Sequence, residues 1–410
     1  MEELQRVTIT PQDLFKRDLE IGRLKEELLT LKQQLLMPQP EKLKLIVLKS
    51  AEELGKKIDE HLKKIYKTDK SFIVPIKEPW FSDGHGKVEL CDTVRDHDVF
   101  IIQDVGNYSI TYEMHGFINH TSPNDLAQQL KDAIGACKCH TEKLTVIMPL
   151  LYAGRQHRRI KREPLSCANF LGELDVDQHV QKIITFDAHD EGVQQALHGT
   201  EFDNFFATNQ LLGQFIDDTP LEQLKNVLFI APDSGAIGRM NFYLNAFSSP
   251  HIQKEAGFFY KRRDYNTVVD GKNPVIEHCY SGSDNIEGKT AIVVDDMISS
   301  GGSMFDVIYE LKKRGVRYIY IFVTYSLLTK GIDEFKKLYE EGMFDGIYTT
   351  NLSYIDEEYL KEPWLHRVDC SEFVAQIIYN LHNKMSISDL QNNRSYPSKV
   401  LTKKIEKNNN

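Results

Sequence analysis

Long apolar runs are missing from this chain: none reaches the roughly 18 residues that a membrane span requires, so a membrane-embedded protein is not expected. Cysteine is also sparse. Cys91, Cys137, Cys139, Cys167, Cys279 and Cys370 are scattered, with no secretory segment beside them. That pattern excludes a disulfide-stapled scaffold and leads to the expectation of reduced thiols in the cytoplasm. The nearest approach to a metal motif, "CKCH" at Cys137 to His140, lacks a second ligand pair at zinc spacing and reads as ordinary thiols. Excess positive charge is lacking too. Fifty Lys+Arg stand against 60 Asp+Glu, a net charge of -10, which argues against nucleic acid as a partner over the whole surface.

What is present is enough chain for two or three cores: 410 residues, 41% of them hydrophobic. Near the N-terminus, Ile21, Leu24, Leu28, Leu31 and Leu35 recur at alternating three- and four-residue steps, which predicts a coiled-coil helix. Thr10, Pro11 and Asp13 read as its cap and first turn, and "MPQP" at Met37 to Pro40 as its stop. At about three heptads such a helix is marginal alone, so it pairs with a second chain or packs on the body. From Leu43 the pattern becomes α/β. "LKLIVLKS", "DVFIIQD", "LTVIMPLL", "KIITFDAH", "NVLFIAPDSG", "TAIVVDDM" and "YIYIFVTY" predict strands buried on both faces of parallel sheets. Several end directly in polar or glycine residues, the place where open α/β sheets collect ligands. The stretch from Gly106 to Asp125 shows no clear period and reads as a loop or insertion; the segment after about Met385 reads as a polar, mobile tail.

One strand ending carries the most chemistry. After Thr290 to Val294 come Asp295 and Asp296, then Ser299, Ser300, Gly301, Gly302 and Ser303, and a helix expected from near Met304. Glycines let backbone N–H groups turn inward, and a helix N-terminus adds favourable partial charge, so the loop suits a phosphate monoester. Ser300 and Ser303 can add hydroxyl donors. The two acids would repel that phosphate if they faced it; they make sense bonded to hydroxyls of the attached sugar, or to a metal chelating them. The alternative is a plain strand-to-helix turn with acids near a helix start.

"VVDDMISSGGS" resembles the phosphoribosyl pyrophosphate loop shared by phosphoribosyltransferases and ribose-phosphate pyrophosphokinases. In those families the acids take the ribose 2- and 3-hydroxyls and the loop the 5-phosphate. Further segments resemble the pyrophosphokinases alone. "WFSDG" is similar to their adenine-binding segment, which points to Phe81 and Asp83. "MPLLYAGRQHRR" delivers Arg155, Gln156, Arg158 and Arg159 beyond a strand, a cluster suited to polyphosphate. "ITFDAHD" resembles the strand-end Asp-x-His whose histidine helps bind the Mg–ATP metal, here His189. Asp187 lies two residues before it, on the same side if the strand stays extended. "IAPDSGAIGR" resembles the segment near diphosphate and metal, with Asp233 as metal or ribose ligand, and "FFYKRRDYN" resembles a flexible loop that closes Lys261 and Arg263 over the diphosphate.

The resemblance implies a fold of two phosphoribosyltransferase-like α/β domains, at 43–207 on the ATP side and 208–383 on the ribose 5-phosphate side. The coiled-coil helix and linker of 1–42 precede them and a polar tail, 384–410, follows; the final strand is a candidate to cross back to the first lobe. It implies transfer of the diphosphoryl group of ATP to the 1-hydroxyl of ribose 5-phosphate, with Mg2+ as cofactor and a homo-oligomer, often a hexamer, as assembly. A non-catalytic regulatory relative and a phosphoribosyltransferase are the alternatives. The chain departs from the family's usual residues at His85, His157 and Ser299.

Overall fold

The apolar runs become the central strands of two sheets in the computed structural model, which describes residues 20–21, 23–24, 39–138, 140–249, 252–263, 275–392 and 395–409. The chain divides into two units, residues 1–42 and 43–410. In the first, Glu20, Ile21, Arg23 and Leu24 are helical and exposed; Leu28, Leu31, Leu35 and the Thr10 cap of the expected coiled coil lie outside the described residues.

In the second unit, β1 (Leu43–Val47), β2 (Asp98–Ile102), β3 (Lys143–Ile147), β4 (Lys182–Phe186) and β5 (Glu201–Phe205) form an all-parallel sheet in that order. The other sheet contains β6 (Asn226–Ala231), β7 (Gln253–Arg263), β8 (Val275–Ser281), β9 (Thr290–Ile298), β10 (Tyr318–Ser326), β11 (Gly346–Thr350) and β12 (Leu365–Val368), in the order β8-β7-β6-β9-β10-β11-β12. It is mixed rather than wholly parallel, because β8 runs antiparallel to β7. That hairpin takes in Phe258 to Arg263, which the sequence reading assigned to a flexible loop.

Successive side chains of a strand point to opposite faces, and the burial follows this period. Leu45, Phe100, Ile184, Phe229, Ile292 and Phe322 share one central core with α1 (Glu52–Tyr66), while Ile46, Ile101, Val146 and Ile183 face α2 (Pro123–Cys137) on the far side of the first sheet. The second sheet has its own outer core, where Ile230, Val293 and Ile321 meet Val307, Ile308 and Leu311 of α5 (Gly302–Lys313). Each fully buried Ile, Leu or Phe contributes roughly 1.5–3 kcal/mol. A core common to both sheets therefore holds the two halves as one body.

Two expectations change at the C-terminal end. β12 stays at the edge of the second sheet, and it is the following helix, Ser371–His382, that returns to the first: His382 Nδ1 lies 2.9 Å from Asp98 and Asn383 Nδ2 donates to the Tyr66 hydroxyl at 2.7 Å. The expected mobile tail ends instead in a docked helix, Ser395–Asn409, with Leu401 and Ile405 buried. Lys404 Nζ donates to the carbonyls of Asp217 at 3.0 Å and Thr219 at 2.7 Å, where the helix Thr208–Asp218 ends and its carbonyls need partners. The sparse apolar residues at 401 and 405, one helical turn apart, were the signal for that docking.

The insertion also has structure. Thr111–Met114 and Phe117–His120 pair as a hairpin, and Ser122 caps α2 through a reciprocal bond pattern with Asp125. Tyr112 on this hairpin stacks on Trp80 at 4.1 Å and 14°.

Candidate active site

The carboxyl ends of the two sheets meet. The Tyr325 hydroxyl at the end of β10 lies 2.5 Å from the Pro149 carbonyl and 2.8 Å from that of Phe186, both beyond strands of the first sheet. Asp104, just past β2, accepts from Ser353 Oγ at 2.9 Å, Tyr354 N at 2.8 Å and Gly106 N at 2.8 Å. Burial pushes its carboxyl up to about 6 even against those donors. Between these two struts lies a cleft of about 730 Å3.

On the second sheet, β9 carries Asp295 and Asp296 at its end. Asp296 is buried and accepts from His189 Nδ1 at 2.7 Å and from Met297 N at 2.8 Å. Burial works against its ionisation, but the bond from His189 and the nearby Arg239 guanidinium outweigh it and hold the carboxyl below the usual range. Asp295 moves the other way. Burial and then repulsion from Asp296 push it well above the ordinary carboxylate value, with Arg239 opposing. Two adjacent acids held at different proton affinities share one cation: Arg239 Nε donates to Asp187 Oδ1 at 2.6 Å and Nη1 stands 3.8 Å from Asp295.

The loop after β9 has a conformation that local chemistry explains. Gly301 sits at φ +85°, and a Cβ there would come within 2.6 Å of the Phe305 ring and 2.9 Å of Phe335. Glycine is required on both counts. Its carbonyl accepts from Met304 N and Phe305 N, which starts α5 at Gly302, two residues before the expected Met304. The amides of Ser300, Gly301, Gly302 and Ser303 make no hydrogen bond to described residues. Four unpaired N–H groups at a helix N-terminus form an anion cradle.

On the first sheet, β4 ends at Phe186 because Asp187 turns into the left-handed region at φ +47°. The turn separates the two residues expected to face one side. Asp187 is bound by Arg239 and by Thr324 Oγ1 at 2.7 Å, while His189 reaches Asp296. Arg155 and Gln156 line the cleft beyond β3, together with His189. Arg158 and Arg159 do not: Arg158 faces Asp190 at 3.8 Å, and Arg159 Nε donates to the Glu163 carbonyl at 2.9 Å. His157 Nε2 lies 3.4 Å from Asp190, its ring 5.3 Å from that of His189.

Phe81 and Asp83 lie on an exposed turn that does not line the cleft, and Asp83 bonds His85 N at 3.1 Å. Asp233 caps its own turn, accepting from Gly235 N at 2.8 Å and Ala236 N at 3.3 Å. Its charge contributes to the raised carboxyl of Asp295, which puts the two within electrostatic reach. Lys261 and Arg263 belong to the backbone of β7, opposite His278 and Val275, with a bulge between Arg262 and Arg263; their side chains, and residues 264–274, lie outside the described residues. Among the described residues no three His, Cys, Asp or Glu side chains gather as a ready-made metal cage.

Sequence reasoning passed over Arg239, Thr324 and Tyr325. Arg239 was within a quoted segment, and a cation in the first turn of a helix, where the dipole disfavours it, was the signal that it answers buried acids. Thr324 and Tyr325 looked like ordinary strand residues and left no such trace.

Comparison with known proteins gives the following. Residues 43–175 match the N-terminal domain of ribose phosphate pyrophosphokinase, and residues 201–355 the phosphoribosyl transferase domain, together more than half of the chain. A ribose-phosphate pyrophosphokinase of Vibrio cholerae is 26% identical over 318 residues, covering 76% of this chain and 89% of that protein. One of Prochlorococcus marinus is 22% identical over 319 residues, covering 77% and 86%. The crystal structure of phosphoribosylpyrophosphate synthetase from Mycobacterium smegmatis superposes with a TM-score of 0.65 at 21% identity, covering 84% of this chain and 99% of that one. That likeness establishes the two-sheet fold.

Proposed function

The chain belongs to the ribose-phosphate pyrophosphokinase family, and from that premise we propose that it transfers the diphosphoryl group of ATP to the 1-hydroxyl of ribose 5-phosphate. The observation that carries this reading is the His189–Asp296 bond at 2.7 Å. It joins the end of β9, which this reading gives to the sugar phosphate, to the segment beyond β4, which it gives with that beyond β3 to the polyphosphate.

The amides of Ser300 to Ser303, with the hydroxyls of Ser299, Ser300 and Ser303, receive the 5-phosphate. Asp295 and Asp296 take the ribose hydroxyls, and the low proton affinity of Asp296 suits an acceptor. Arg155 offers forked donors to the polyphosphate, with Gln156 beside it. The anomeric hydroxyl then attacks the β-phosphorus and AMP leaves, while Lys261 and Arg263 meet the charge developing on the diphosphate. Such transfer depends mainly on positioning and on cations matched to charge.

Asp233 would offer hard carboxylate oxygen near Asp295 to a magnesium ion that takes most of its ligands from phosphates and water, and His189, whose nitrogen magnesium takes less readily than oxygen, would meet it through a phosphate or a water. Bound there, the ion would screen polyphosphate charge. The cytoplasmic placement and the homo-oligomer belong to this proposal as well. No described helix is long and apolar enough to cross a membrane.

The test is a product assay with α-labelled and β-labelled ATP, magnesium and ribose 5-phosphate. The α-label should remain in AMP and the β-label pass to the sugar. ADP as the nucleotide product, or no turnover at all, would sink the proposal.

A further inference from the structure

His157 departs from the family's usual residues, and the function above gives it no task. It comes directly after Arg155 and Gln156, on the segment beyond β3, and its ring leans on the segment beyond β4. We propose that His157 is a positioning residue, whose ring backs His189 and keeps that imidazole turned onto Asp296. The proposal deepens the nucleotide-donor reading above and rests on it for the ligand concerned.

The backbone around His189 is fixed without His157. Asn204 of β5 accepts from Ala188 N through Oδ1 at 3.0 Å and donates to Glu191 Oε1 through Nδ2 at 2.8 Å, so it holds both sides of the turn. Asp190 Oδ1 accepts from Gly192 N at 2.8 Å and caps the short turn of Glu191 to Ala196. The His189 side chain is less secure. It is 38% exposed, and the bond to Asp296 holds one ring nitrogen only, so its two side-chain torsions need a second restraint.

His157 supplies it. The two rings lie 5.3 Å apart with a tilt of 54°, within the range of aromatic contact. His157 is anchored in turn: its side chain is 14% exposed, and Nε2 stands 3.4 Å from Asp190 Oδ2, the oxygen that Gly192 does not engage. One carboxylate thus serves both neighbours, with Oδ1 shaping the turn that carries His189 and Oδ2 setting the ring that backs it.

His157 Nδ1 is buried and has no hydrogen-bond partner among the described residues. That is unfavourable for a polar nitrogen. Closed off from solvent, it is also out of a ligand's reach, so what this position offers is the bulk and face of the ring. Beside His157 lies a side cavity of about 330 Å3, bordered by Ala168, Asp190 and Val193. Shortening residue 157 to alanine opens that space to His189, whose ring can then leave Asp296.

Imidazole 15N spectra of the full chain without ligand test the geometry, whatever reaction the protein performs. His189 signals, identified by their loss in His189→Gln, should show one nitrogen held in a hydrogen bond in the wild type. In His157→Ala they should move toward those of a freely turning imidazole. His157→Phe keeps a ring and should leave them in place. His157→Asn keeps polarity without the ring and should match His157→Ala, which keeps the proposal testable if the alanine variant fails to fold.

Calorimetry with ATP then ties the ring to the nucleotide. Residues that orient a ligand-contacting histidine matter by about 10–100-fold, so His157→Ala should weaken ATP about tenfold. In a His189→Ala background the same change should cost less than about twofold, because its effect runs through His189. Unmoved His189 signals in His157→Ala and His157→Asn, or an ATP loss of equal size with and without His189, would overturn the proposal. If the spectra behave as expected but labelled ATP gives no labelled sugar, the reaction falls and the positioning role stands. If ATP is turned over but the His189 signals do not move, the positioning role alone falls.

Discussion

The glycine loop of Ser299 to Ser303 lies outside the lining of the cleft that Arg155, Gln156 and His189 share, its strand tied to that wall by the His189–Asp296 bond, and the two are made in opposite ways. Ser299 to Ser303 is local: one strand end, one glycine at φ +85° and one helix start set its shape within a few residues. The opposing wall is assembled from residues near 105, 150 and 189, and its position against the loop depends on ties between the sheets. The local half should therefore tolerate damage to the global ties better than the assembled half does, and damage to the loop should stay in the loop.

The largest effect should come from the tie at the centre. Arg239→Leu leaves buried Asp187 without its cation and removes the counter-charge of Asp295 and Asp296; breaking a buried pair in this way costs about 3–5 kcal/mol. Urea denaturation checks it, and a loss below about 1 kcal/mol would contradict the central role of Arg239.

Next is the strut at Asp104, whose carboxyl rises from 3.8 to about 6 in the folded chain. Below about pH 3 both states are protonated and the strut carries no penalty. As pH rises toward 6 the unfolded state ionises first, so stability falls, by about 3 kcal/mol at roughly 1.4 kcal/mol per pH unit. Asp104→Asn keeps an acceptor for Ser353 and Tyr354 and removes the titration. The wild type should thus lose about that much relative to the variant between about pH 3 and 7, read from paired denaturation curves; parallel curves would refute the assignment.

A smaller and sharper effect belongs to the loop. Gly301→Ala forces a left-handed alanine against Phe305, costing roughly 1–3 kcal/mol. Steady-state kinetics should show the KM for ribose 5-phosphate rising and that for ATP nearly unchanged. Smallest of all, Arg159→Ala should alter stability by no more than about 0.5 kcal/mol and neither KM, because Arg159 is exposed and tied only to Glu163.

Legibility followed the same division. The strands of the cores, the Asp295-Asp296 pair and the glycine loop could be read directly, since period, β-branching and turn chemistry act over neighbouring residues. The Asp187 and His189 geometry could not: one residue at φ +47° undid an argument from extended-strand alternation. Nor could the docking of 395–409, whose sequence is polar except for the few residues that face the core, or the hairpin pairing of β7 with β8, which joins segments whose side chains give no clear alternation. Arg239 was visible as a letter but not as a partner, because Asp187 lies 52 residues away.

The central claim is that the loop after β9 takes the sugar phosphate and the wall of Arg155, Gln156 and His189 takes the nucleotide. Calorimetric titration of ribose 5-phosphate and of ATP, each alone, into wild type, Ser303→Ala and Arg155→Ala tests it most directly. The account predicts that Ser303→Ala weakens only ribose 5-phosphate and Arg155→Ala only ATP. Exchange of those two effects, or equal loss of both ligands in both variants, would contradict it.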